Sequence, residues 1–174
     1  VAPTLQPVGT LTSNSAQVSW TIPASVQAVS YDVYYSTSNT APTAATVPNH
    51  PGVTGTSFII PSLSPSTVYY YWVRSNCSTA TSQSGWSLSG TFTTLCGAVV
   101  PSYTNDFSSF PGTCWAGALS GGTPGTGPTG TSSYWTSGGF LGTGSGGSAT
   151  INLYSTGRTG WLKTVPFNLS AGSY

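Results

Sequence analysis

Polar and apolar residues alternate with a period of two through much of the chain, and nowhere do apolar positions repeat at helical spacing. In Ser15–Thr21 (S-A-Q-V-S-W-T) Val18 and Trp20 fall on one face. Tyr31, Val33 and Tyr35 point one way and Asp32 and Tyr34 the other. Phe58 and Ile60 lead into a corner at Pro61–Pro65, after which Tyr69, Tyr71 and Val73 face inward. A last strand near Trp86–Thr94 ends in F-T-T. The pattern predicts an all-β module over residues 1–94, with the inward sets of two sheets forming its core.

A short linker is expected at 95–102, followed by a second module over 103–174. Within it, 120–148 is rich in Gly, Ser and Thr, and composition alone makes that stretch a flexible linker. Tyr134-Trp135, Phe140-Leu141 and Ile151-Asn152-Leu153-Tyr154 interrupt it at strand-like intervals, so most of it is expected to be ordered.

Residues 63–73 read L-S-P-S-T-V-Y-Y-Y-W-V. With Trp20 and the Tyr31–Tyr35 run, this segment resembles a fibronectin type III domain. The resemblance implies a small β-sandwich in which the Tyr69 hydroxyl folds back onto the preceding corner. It also implies an extracellular spacer or binding module. The motifs N-D-F (105–107), C-W (114–115), Y-W-T-S-G-G-F (134–140) and W-L-K-T-V-P-F-N-L (161–169) are similar to the first half of a MAM-like or concanavalin-A-like jelly roll. Such a fold needs about eight strands in two sheets, of which about half are expected here. The chain stops at Tyr174, where a long core strand should begin. This truncated second module is therefore expected not to close alone. Its apolar faces around Trp135, Phe140, Ile151, Leu153, Trp161 and Phe167 would need the chain's continuation or another subunit. The fold class is all-β, a fibronectin type III-like sandwich followed by an incomplete jelly-roll β-sandwich. The pairing of modules is similar to large secreted surface proteins of Bacteroidota.

Charge changes the picture most. Asp32, Asp106, Arg74, Arg158 and Lys163 are the only charged residues, 3% of the chain where about 25% is usual. Ser (29) and Thr (28) keep the surface wet instead. A net charge of +1 without a basic cluster offers nothing to a phosphate backbone or an anionic membrane surface. No apolar run approaches the roughly 18 residues of a membrane helix, so neither nucleic acid nor membrane insertion is expected. The chain opens at V-A-P-T-L and reads as a mature or excised segment. Weak mutual repulsion between such surfaces favours association.

Catalysis finds few groups to use. Glu is absent and the two Asp lie in different modules, whereas glycoside hydrolysis wants paired carboxylates about 5–10 Å apart. His50, in V-P-N-H-P-G, is the lone imidazole, and it reads as a solvated loop residue rather than a general base. Gly142–Gly146 (G-T-G-S-G) is not a nucleophile elbow, and the neighbouring glycines lack the βαβ setting of a phosphate loop. No cofactor is expected. Asn105 and Asp106 are a weak Ca²⁺ candidate, since a single carboxylate makes a poor site and a turn role suits both residues better.

Three cysteines in a secreted chain imply one disulfide and one odd thiol. If 68–77 and 86–94 form the final hairpin, Cys77 and Cys96 sit at opposite ends of it. About nine residues at roughly 3.3 Å each separate them, beyond the ~7 Å Cα limit. Cys96 and Cys114 are the expected pair, closing a loop of about 19 residues worth roughly 3 kcal/mol.

One surface suggests binding. Pairing the strands so that Asp32 opposes Arg74 also sets Tyr34 opposite Trp72. Tyr34, Tyr70 and Trp72 then share the outer face, where aromatic strips engage sugar rings or partner proteins, unless the module's own loops or its neighbour cover them. The expected role is a non-catalytic, secreted or cell-surface module for adhesion or structural display, with protein or glycan ligands. The alternatives are a carbohydrate-binding or other accessory region of a secreted hydrolase, and a subunit of an extracellular filament or gliding-type adhesin assembly.

Overall fold

The structure is a computed structural model that describes residues 1–25, 27–77, 82–138, 147–152, 154 and 156–169, with the backbone alone at 116–119. It divides into two units, Val1–Gly97 and Ala98–Tyr174, both built from strands.

In the first unit the alternating segments become β1 (Thr4–Leu5), β2 (Ala16–Thr21), β3 (Ala28–Ser36), β4 (His50–Val53), β5 (Ser57–Ile60), β6 (Val68–Cys77) and β7 (Gly90–Thr93). They form two antiparallel sheets, ordered β1-β2-β5 and β4-β3-β6-β7. Ala16, Val18 and Trp20 of β2 and Ile60 of β5 meet Tyr31, Val33, Tyr71, Val73 and Phe92 of the other sheet in one buried cluster. Trp20 packs edge-on to Tyr31 with ring centroids 5.1 Å apart. Each such side chain contributes about 1.5–3 kcal/mol by leaving water. The final strand begins at Gly90 rather than near Trp86. A Cβ at Gly90 would run into the Tyr71 ring and Leu5, so this strand glycine permits close approach between the sheets' edges.

The Pro61–Pro65 corner is tied from both sides. Ser64 N donates to the Tyr69 hydroxyl at 3.0 Å, the tyrosine-corner bond expected from the sequence. Thr94, which is buried, supplies a second tie. Its hydroxyl donates to Ser64 O at 2.6 Å and accepts from Thr67 N at 2.9 Å, while its own N donates to Thr67 O at 3.0 Å. Leu95 continues the latch, donating to Thr12 O and accepting from Ser66 N.

The two central strands are buried on both faces at Tyr31–Val33 and Tyr71–Ser75. Asp32 opposes Arg74 and Tyr34 opposes Trp72, the register that pairing the charges implies. Arg74 Nε donates to Asp32 Oδ2 at 2.9 Å, with both side chains almost wholly buried. Asp32 Oδ1 accepts from Gly52 N (3.1 Å) and Asn76 Nδ2 (2.8 Å), and Oδ2 also from Gln83 Nε2 (3.3 Å). Four donors replace the water that the carboxylate lost, which is what a dry ion pair needs to avoid a large desolvation penalty.

The second unit contains β8 (Ala116–Ser120), β9 (Trp135–Gly138), β10 (Ser148–Ile151) and β11 (Gly160–Lys163). They form two antiparallel ribbons, β8–β11 and β9–β10, that share no sheet among the described residues. The Gly-rich run after β8 is an ordered loop rather than a linker. Gly130 N donates to Ser120 O (2.8 Å), Gly127 N to Thr123 O (2.8 Å) and Thr123 N to the Thr126 hydroxyl (2.9 Å). A Cβ at Gly122 would strike the Gly127 carbonyl. The motif aromatics pack together, Tyr103 on Phe167, Phe107 and Phe110 on Trp115, and Phe110 on Trp135. Val165 is the only large apolar residue buried among those described in this unit, and Tyr154 and Leu169 are exposed. Phe140-Leu141, Leu153 and 170–174 lie outside the described residues.

Two substitutions test these ties by chemical denaturation of the full chain. Tyr69→Phe removes the corner acceptor and is expected to cost about 1 kcal/mol with an unchanged m-value. Asp32→Asn keeps the shape but strands Arg74 in a dry site, and is expected to cost about 3–5 kcal/mol.

Candidate functional site

Between β6 and β7 the chain runs back along β6 without becoming a regular strand. Ser84 N donates to Ser75 O and Ser87 N to Val73 O, both at 2.9 Å. In return Ser75 N donates to Ser84 Oγ (2.9 Å) and Val73 N to Ser87 Oγ (3.1 Å). Serine hydroxyls stand where carbonyls of a paired strand would be, which frees the backbone here to turn Trp86 inward.

Trp86 lies over Arg74, whose guanidinium carbon is 4.5 Å from the ring centroid. Its Nε1 donates to Thr43 O at 2.9 Å, and Arg74 Nη1 donates to Ala44 O at 3.2 Å. The 41–44 loop and Trp86, bonded to each other, thus cover Arg74 together. Trp72 is on the outer face of the sheet but only 2% exposed, the case in which the module's own loops cover it. The cause is the cover that the Asp32–Arg74 pair requires, because whatever shields Arg74 also shields its neighbour two residues away on the same face. Tyr34 touches both indoles, at 5.9 Å from Trp72 and 6.1 Å from Trp86. Tyr34, Tyr70 and Trp86 are each partly exposed. The accessible aromatic surface is therefore Tyr34, Tyr70 and Trp86, with Trp72 as its buried support.

Beside it lies a cleft of about 520 Å³ lined by Pro42, Ala44, Trp72, Arg74, Gln83 and Trp86 among others. A second depression of about 530 Å³ shares Arg74 and Gln83 and reaches Ser30, Pro48, Pro51 and Cys77. The two adjoin at Arg74 and Gln83 and are together called the groove. Sequence periodicity put Trp86 at the start of the last strand, whereas the regular strand begins only at Gly90, so its place over Arg74 was not legible from alternation. The available signal was Arg74 itself, an inward-held cation that needs an aromatic or carbonyl cap.

The other candidates resolve differently. His50 is not a solvated loop residue: it opens β4, half-buried, stacked on Tyr35 (5.9 Å, 14°) and set against Phe58 (4.7 Å). Its Nε2 is buried with no hydrogen-bond partner among the described residues, so it acts as a packing ring. Tyr35 beside it has its hydroxyl pKa raised by burial and secondarily by Tyr69. Asn105 Oδ1 accepts from Phe107 N (2.8 Å), and its amide donates to the Tyr103 hydroxyl (3.1 Å). Asp106 Oδ1 accepts from Ser108 N (3.0 Å), and hydrogen bonding from Ser108 lowers its pKa. Both oxygens close turns, and no group of three or more His, Cys, Asp or Glu that could hold a metal occurs among the described residues. Cys96 and Cys114 are disulfide-bonded; Cys77 is a free thiol, half-buried.

Comparison with known proteins supports the fold of the first unit. The sequence model of the fibronectin type III domain matches residues 2–92. Among solved structures, the fibronectin type-III domain of human fibronectin type III domain containing protein 3 is 18% identical. It matches over 59% of this chain and 92% of its own, with a TM-score of 0.45. The chicken CNTN1 FN1-FN3 domains are 21% identical over 55% of this chain and 31% of theirs, at 0.44. A family 28 exopolygalacturonase of Yersinia enterocolitica is 16% identical over 57% and 21%, at 0.42. A search of curated proteins finds no match. With a family match over more than half its length, and with the Tyr69 corner in place, the chain belongs to the fibronectin type III domain family.

Proposed function

We propose that the chain is a non-catalytic extracellular segment of a large cell-surface protein, and that it serves adhesion or structural display. The observation that carries this reading is the Tyr34–Tyr70–Trp86 surface beside an open groove. Aromatic side chains partly open to solvent are what glycan and protein contacts use. The Cys96 and Cys114 disulfide suits an oxidising compartment. Family membership points the same way, since these domains are non-catalytic modules. On this reading the second unit is the opening part of a MAM-like jelly roll from a surface protein similar to those of Bacteroidota. Among the described residues, its two separate ribbons and single buried large apolar residue support a reading as part of a larger sandwich.

Beads coated with the full chain should be retained under flow on glycan- or protein-coated surfaces, above bare controls, while the chain releases no product from glycoside, ester or peptide substrates. Retention on none of the surfaces, or turnover lost on mutating His50 or either Asp, overturns the proposal. Trp86→Ala is expected to reduce retention by about tenfold. Trp72→Ala acts first on stability, costing about 3–5 kcal/mol for a buried indole, as thermal melting would show.

A further inference from the structure

The two depressions are lined by one ion pair, Asp32–Arg74, and by no other charged side chain. The first unit, Val1–Gly97, contains Asp32 and Arg74 as its only Asp, Glu, Lys or Arg residues. These are 3% and 6% exposed and are committed to one another across 2.9 Å. Its surface is therefore made of serine and threonine hydroxyls, amides, prolines, aromatic rings and a few exposed aliphatic side chains such as Val29 and Leu88. A surface of that kind has no long-range attraction for a polyanion, gives no countercharge to an acidic or basic peptide, and gains nothing from counterion release.

We infer that the groove along Trp86 binds a neutral polysaccharide. This inference rests on the adhesion reading above and names its ligand class. A neutral sugar is the complementary chemistry. Its axial C–H face stacks on an aromatic ring, and its hydroxyls donate to the side-chain oxygen of Gln83, which lines the cleft. Neither partner then has an ion to desolvate. Trp86 is also held in place before any ligand arrives, by Thr43 O at its Nε1 and by Arg74 beneath its ring. Such a fixed ring loses little side-chain entropy on binding. The two depressions adjoin at Arg74 and Gln83, which offers contact to more than one unit of a polymer.

The test is affinity electrophoresis of the full 174-residue chain through gels containing hydroxyethylcellulose, xylan, galactomannan or dextran, and through gels containing alginate or heparin. Each is run at about 20 mM and about 500 mM NaCl. The expected result is retardation by at least one of the four neutral polymers, with a Kd that stays within about twofold across the two salt conditions and no retardation by the anionic ones. Trp86→Ala and, separately, Tyr34→Ala should each weaken binding by about tenfold. Tyr34→Ala decides the matter if the Trp86 variant fails to fold. No retardation in any of the four neutral gels overturns the inference, as does salt-sensitive binding to alginate or heparin. Retention on protein-coated beads alone, or self-association blocked by the same two substitutions, would also overturn it while leaving the adhesion reading standing.

Discussion

Two opposite charges on the central strands β3 and β6 must be kept together once they are taken out of water, and much of the outer face follows from that requirement. Asp32 and Arg74 satisfy each other and hold the two strands in one register. The guanidinium then needs a lid, which Trp86 and the Ala44 carbonyl provide. The carboxylate also draws in Asn76 of β6 and, from two further parts of the chain, Gly52 and Gln83. In an ordinary module, dispersed surface charges share the task of keeping neighbouring molecules apart. Here the only two charges of the first unit serve as an internal fastener, and wetting falls to hydroxyls.

Much of this was legible in the sequence because it is local or paired by simple arithmetic. Tyr69 lies five residues after Ser64, so its corner bond needs no distant partner. The β3–β6 register follows because Asp32 has Arg74 as the one cation within its own unit. Other features depended on irregular backbone, where alternation says nothing. Trp86 lies within a run in which Ser84 and Ser87 substitute side-chain oxygens for strand carbonyls. Once Trp86 folded inward, Trp72 lost its exposure. His50 looked like loop because Pro48 and Pro51 flank it, yet the aromatic pair Tyr35 and Phe58 draws it against the sheet. Thr94 gave no hint either, since alternation sets it on the inner side with Phe92 but does not show that its hydroxyl is the second tie on the corner.

The two units differ in how they reach order. The first has a dense aromatic and β-branched cluster spanning both sheets. The second depends on turn chemistry, with glycines where only hydrogen fits beside a neighbouring carbonyl and threonines that close their own loops. Hydroxyl–backbone bonds of this kind specify a conformation but remove little apolar surface from water. Packing among Tyr103, Phe107, Phe110, Trp115 and Trp135 supplies the remainder.

The latch formed by Thr94 and Leu95 bears on where the first unit can be cut. The family match ends at residue 92, and a fragment trimmed to that limit would keep every core side chain. It would nevertheless release the Ser64 carbonyl, the Thr67 amide and carbonyl, and the Thr12 carbonyl from their partners. The corner and the entry to β2 would both loosen at once, although neither lies near the cut in sequence. The physical module thus outruns its sequence signature by at least three residues, and its natural C-terminal limit is set by hydrogen bonding rather than by the last apolar position.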